Sequence, residues 1–224
     1  EISACLVGSE MCIRDRPQGL ILSLHEFWVL VSELGNSKWL LPAACLLVLA
    51  SGAKRWQLGW RWLSGLAVAS LVVLVSKLAF MGWGIGSRAW DFTGFSGHAA
   101  ISAAIYPVAL GLLVGFRWRL WGAAAGVAVA LLISYSRLPL HAHSVSEVVL
   151  GSLVGLSASA WFYLGPPQVA RPTLLAWVGA VALAWAASFT VLPGVGTHDL
   201  VMKMAQAASG REVLYTRKWL RQQG

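Results

Sequence analysis

RLWGAAAGVAVALLISYSRLPLHAHSVSEVVLGSLVGLSASAWFYL, residues 119–164, decides the fold. Two apolar runs, 119–136 and 145–164, flank a polar dozen, SRLPLHAHSVSE, at 136–147. Each run has about the length needed to cross a bilayer as a helix. The dozen puts an arginine, two histidines and a glutamate into a chain with only 12% charged residues. It is either an ordinary polar turn between two helices or the place where the protein works.

The rest of the 224-residue chain is of the same kind, 58% hydrophobic with 13 tryptophans. Soluble domains are closer to half apolar and a quarter charged. Further apolar runs lie at 38–53, 58–80, 99–116 and 174–192, and residues 20–35, ILSLHEFWVLVSELGN, alternate like an amphipathic helix lying at the interface. The expected fold is all-α: a polytopic membrane helix bundle of about six transmembrane helices plus an N-terminal interfacial helix. Residues 1–16, EISACLVGSEMCIRDR, read as a translated sequencing adapter and are set aside. Residues 17–194 then form one membrane domain, and 195–224 a polar, basic C-terminal tail. Outside the first segment only Cys45 remains, inside an apolar run, so neither a disulfide framework nor a zinc knuckle is expected.

The net charge of +8 is expected to report orientation and anionic lipid, not nucleic acid. Loops after the first, third and fifth spans carry Lys54, Arg55, Arg61, Arg117, Arg119 and Arg171 and no acid, with Trp56, Trp60, Trp62, Trp118 and Trp121 beside them as an aromatic belt. The positive-inside bias makes these loops cytoplasmic. The opposite end, which holds the acids, becomes external, although the tail's Lys203, Arg211, Arg217, Lys218 and Arg221 pull the other way.

Four helix ends on that external side carry polar groups: Lys77, Arg88 with Asp91, Ser96-Gly97-His98, and Ser136-Arg137 with His141, His143 and Glu147. Ionisable groups at membrane depth are costly and usually face a bundle interior or a wet cavity. The set suits phosphoryl transfer, which needs cations on the phosphate oxygens, an in-line nucleophile and an acid for the leaving group. Arg137 and Arg88 offer planar forks and Lys77 a point charge. His143 can attack if a carboxylate holds its other nitrogen, and Glu147, one turn on, can reach back to it. His98 is then free to protonate the leaving oxygen.

These residues resemble the type 2 phosphatidic acid phosphatase (PAP2) superfamily of integral-membrane, metal-independent lipid phosphatases. Its pattern is Lys-x6-Arg-Pro, then Pro-Ser-Gly-His, then Ser-Arg-x5-His-x3-Asp. Ser136, Arg137, His143 and Glu147 match the third motif in spacing, with Glu for Asp. Ser96, Gly97 and His98 match the second, with Phe95 for Pro. The first fits poorly: Gly84 stands six residues after Lys77, and the nearest arginine, Arg88, lacks a following Pro. The resemblance implies a phosphohistidine on His143, His98 as acid, and Lys77, Arg88, Ser96, Gly97, Ser136 and Arg137 holding phosphate. It implies a membrane lipid phosphate or polyprenyl diphosphate as substrate and no metal or other cofactor. The expected location is a bacterial inner membrane, with the site on the periplasmic side.

Plainer readings stand beside these. Ser144 to Glu147 is a good capping box, Arg137 could snorkel from a helix end, and His98 could simply begin a helix. Asp91 pairs with Arg88 or only solvates a loop, and His141 lines the pocket or is exposed. The alternatives in function are a phosphotransferase with the same site, a metal-dependent hydrolase on His98, His141, His143 and Glu147, and a non-enzymatic transporter or scaffold.

Overall fold

An apolar chain in lipid must satisfy its backbone internally, which favours helices, and every regular element among the described residues is helical. The computed structural model describes residues 23–50, 56–165, 174–190 and 196–222. The adapter-like segment 1–16, and with it Lys54, Arg55 and Arg171, lies outside them. The helices are α1 (Leu24–Glu33), α2 (Ser37–Ala50), α3 (Trp56–Trp83), α4 (Gly97–Val114), α5 (Arg119–Ser136), α6 (Val145–Tyr163), α7 (Leu174–Thr190), α8 (Thr197–Ser209) and α9 (Arg217–Gln222).

Among the described residues four segments are long and apolar enough to cross a membrane: Gly59–Trp83, Gly97–Val114, Phe116–Ser136 and Val145–Tyr163. The sequence led to an expectation of six. The described parts of the other two apolar runs form α2 and α7, of 14 and 17 residues. Their described residues span roughly 21 and 26 Å at about 1.5 Å per residue. The two pack against each other. The interfacial helix is present as α1, started by a Ser23–Glu26 capping box. It leaves Leu24, Phe27 and Leu30 exposed and buries Val31 and Ser32.

Helix α4 is the centre of the bundle, packed by α2, α3, α5 and α6. Five of its eleven buried residues are alanine, and its neighbours approach through glycines four residues apart. A Cβ on Gly126 of α5 would lie 2.3 Å from the Tyr106 carbonyl oxygen, and one on Gly122 2.5 Å from that of Leu110. A Cβ on Gly155 of α6 would lie 2.1 Å from the Ala100 oxygen, and one on Gly151 2.8 Å from that of Ser96. Small residues at this spacing let helix backbones touch, the usual basis of helix association in lipid. Pro107 cannot donate to the Ala103 carbonyl one turn back; the Ser159 hydroxyl of α6 donates to it instead.

Trp62 departs from the expected aromatic belt. It is 3% exposed, and its indole N–H donates to the Ala104 carbonyl at 3.2 Å. It faces α4 because it lies on the inward side of α3, whereas Trp60, Trp118 and Trp121 are exposed. The Trp56 side chain lies outside the described residues. With short connections, α3 and α5 end, and α4 and α6 begin, at one end of the bundle. That end carries the polar constellation.

Candidate active site

A cavity of about 480 Å³ opens at this end, and Lys77, His98, Arg137 and His143 all line it. Lys77 comes from the last turns of α3, His98 from the first turn of α4, and Arg137 and His143 from the 137–144 loop between α5 and α6. The loop is wound by Ala142 N–H on the Arg137 carbonyl and His141 N–H on that of Leu138. His141 takes a left-handed backbone (φ 52°) and is exposed. It does not line the cavity, so of its two sequence readings exposure is the one observed.

Glu147 is fully buried in the first turn of α6. Its Oε2 lies 2.7 Å from His143 Nδ1. The same oxygen accepts the Ser144 N–H at 3.3 Å, while the Ser144 hydroxyl accepts from the Glu147 N–H. Capping box and histidine partner, alternatives in the sequence, therefore coexist in one carboxylate. An ionised carboxylate only accepts hydrogen bonds, so the network assigns the proton to Nδ1 and leaves Nε2 its lone pair. Burial holds the His143 pKa below the ordinary histidine value, opposed by its hydrogen bond to Glu147.

The connection between α3 and α4 is fastened to the same residues. Thr93 donates to Glu147 Oε1 through its N–H at 2.7 Å and its hydroxyl at 2.5 Å. Ser96 N–H donates to the Glu147 carbonyl, and Phe95 N–H to the Ser76 hydroxyl. Gly94 lies against Lys77 with φ +136°, a conformation and an approach that a side chain would oppose. Arg137 is braced from α1, where its Nη1 donates to the Ser32 hydroxyl. Burial acts against its charge and nearby Glu33 supports it.

Not every expected phosphate ligand joins this group. Arg88 is exposed and lines a separate cavity with Trp90, Ser144 and Val149. Asp91 pairs with two tail arginines: Arg217 at 3.1 Å and Arg221 at 2.8 Å. Hydrogen bonding from Arg221, with help from the Arg217 charge, holds the Asp91 pKa below its usual value. The Ser136 hydroxyl donates to the Ile133 carbonyl and is fully buried. Ser96 is fully buried, and its hydroxyl has no hydrogen-bond partner among the described residues. Beside Gly97 a Cβ would meet only Val73, at 3.8 Å. Ser96, Gly97 and Ser136 shape the site's frame and do not line the cavity.

The sequence reading missed Arg217 and Thr93. Arg217 Nη2 lies 2.5 Å from Glu147 Oε2 and 3.3 Å from the Thr93 hydroxyl. The described part of the tail, 196–222, folds back over the site, with Met202, Leu214 and Tyr215 in the cavity wall. Its anchors are buried Ala205 and Leu220, and Tyr215 N–H on the Met81 carbonyl at 2.9 Å. The tail's high charge gave the only hint in the sequence, and it read as a question of topology.

The family model for the PAP2 superfamily matches residues 82–171. An uncharacterized 22.5 kDa protein in the cps region of Klebsiella pneumoniae is 36% identical over 207 residues, covering 88% of this chain and 98% of its own. This chain belongs to the PAP2 superfamily. No solved structure matches it. Membership carries phosphatase-type activity at that general level, in a membrane protein by its apolar helices. Among the described residues no group of three or more His, Cys, Asp or Glu could hold a metal ion.

Proposed function

We propose that this PAP2-superfamily protein is a metal-independent phosphatase acting on a membrane lipid phosphate or polyprenyl diphosphate through a phosphohistidine. One observation carries the reading: the His143 imidazole has its Nδ1 tied to a buried carboxylate and shares a cavity with His98, Lys77 and Arg137. In the proposed reaction Nε2 of His143 attacks phosphorus while Lys77 and Arg137 neutralise the phosphoryl oxygens. The bond to the leaving oxygen breaks, and that oxygen takes a proton from His98. Water, giving its proton back to His98, then attacks the phosphohistidine; the P–N bond breaks, releasing inorganic phosphate and free His143. Phe80, Met81, Met202 and Leu214 in the cavity wall favour a substrate with an apolar portion beside its phosphate.

The proposed setting is a bacterial inner membrane with the site on the external face. Arg61, Arg117 and Arg119 lie at the opposite end among exposed Trp60, Trp118 and Trp121. The conflicting tail charge is partly answered at the site, where Arg217 and Arg221 are paired with Asp91 and Glu147.

The test is phosphate release by detergent-solubilised protein from phosphatidic acid, phosphatidylglycerophosphate, undecaprenyl diphosphate and a soluble sugar phosphate, with chelator present. His143→Ala and His98→Ala should each abolish release, and full activity in either variant ends the assignment. A labelled donor that yields a labelled lipid, with no free phosphate, would turn the reading to a phosphotransferase.

A further inference from the structure

We infer that Arg217, brought by the C-terminal helix α9, is a positioning residue: it fixes the Glu147 carboxylate, which in turn holds His143 with Nδ1 protonated and Nε2 free. The inference rests on the proposed role of His143 and adds a part to it that lies outside the matched family segment, residues 82–171.

The carboxylate gathers five donors. Oε1 takes two from Thr93, and Oε2 takes His143 Nδ1, Ser144 N–H and Arg217 Nη2. Only Arg217 among them carries a full charge when His143 is neutral. A buried carboxylate without a cation is costly, and it would draw a proton onto its imidazole partner. Glutamate also has one more rotatable bond than aspartate, so its oxygens need holding on both sides to aim at His143. Thr93 holds one and Arg217 the other.

Arg217 is itself held. Its Nη1 lies on Asp91 Oδ2, and the adjoining chain is pinned by Tyr215 N–H on the Met81 carbonyl and by the edge-to-face contact of Trp219 with Tyr215. The charged and titratable groups around His143 are Lys77 from α3, His98 from α4, Arg137 after α5, Glu147 from α6, His198 from α8, Tyr215 just before α9 and Arg217 from α9, which lines the cavity as well as meeting that carboxylate. Glu147 is the one acid in this set. Removing Arg217 takes away the one cation hydrogen-bonded to Glu147 beside His143, so more of the acid's field falls on the imidazole, and His143 should hold its proton to higher pH.

The experiment compares full-length wild type with Arg217→Gln, Arg217→Lys and Lys218→Ala. Two readouts are taken: the pH profile of phosphate release, and NMR titration of ring-labelled histidines assigned through His143→Ala. Arg217→Gln should lower kcat by about 10²-fold, as for a misplaced reacting group. It should move the acid limb and the His143 titration up together by about one pH unit or more. Arg217→Lys should recover part of both, having the charge without the fork. Lys218, exposed beside it, should be silent when changed to Ala. If wild type releases no phosphate yet Arg217→Gln still shifts the His143 titration, the phosphatase reading fails and the positioning role stands. A His143 titration unmoved by Arg217→Gln overturns the inference, whether or not kcat falls.

Discussion

Replacing Glu147 by Gln keeps the shape of the side chain and removes its charge. Five donors point at the two oxygens, so the new NH2 must face at least two of them. The less costly orientation turns it towards Thr93, whose hydroxyl can rotate to accept, but the Thr93 N–H then loses its acceptor. A buried unpaired N–H costs about 1–3 kcal/mol. Breaking a buried ion pair costs about 3–5 kcal/mol. The pair term is smaller here because the Arg217 side chain is 26% exposed and keeps Asp91. A net loss of about 3–5 kcal/mol is expected, on the order of 10 °C in Tm for a chain of this size. The amide oxygen left facing His143 still accepts from Nδ1 but carries no charge to stabilise the imidazolium that forms as Nε2 attacks, and kcat should fall between about 10²- and 10⁴-fold. The assays are intrinsic tryptophan fluorescence on heating and phosphate release in detergent. Glu147→Asp, which keeps the charge, should retain much of the activity. A Gln variant within about twofold of wild-type kcat and about 2 °C of its Tm would refute the reasoning.

Arg137→Ala should cost at least about tenfold more activity than Arg88→Ala in the same assay, because only Arg137 lines the cavity with both histidines. Gly155→Ala should destabilise by about 1–3 kcal/mol, read as a lower Tm, since its Cβ would press on the Ala100 carbonyl. Activity should persist below the ordinary histidine range near pH 6.5. His143 is held neutral there by its lowered pKa, and activity should fail as pH drops through that value. An acid limb above about 6.5 would contradict the assignment. Asp91→Asn should loosen α9, read as faster hydrogen exchange over 211–222, and the effect should shrink in high salt because these pairs are partly exposed.

The third motif was legible because its chemistry is local. His143 and Glu147 are one turn apart, and helical geometry alone brings them together. The end of the bundle that would carry the site followed from the same logic, since short connections force neighbouring helices to run antiparallel. Arg88 misled because it is near Lys77 in sequence, yet the turn that includes Asp91 (φ 45°) carries it outward to another cavity. Arg217 could not be found by spacing: it is 70 residues from Glu147. Nor could Trp62 be told from Trp60 by composition, since the face of α3 that meets α4 decides which is buried.

The sequence by itself determined what depends on composition and on one helical turn: apolar helices suited to lipid, and a histidine with its carboxylate. Tertiary structure alone decided which cations share the cavity and that the basic tail closes over it. Hydrophobic runs and i,i+4 contacts are written along the chain, whereas a buried charge is matched by whichever residue packing brings to it. Here the partner of Glu147 is Arg217, which no local pattern marks.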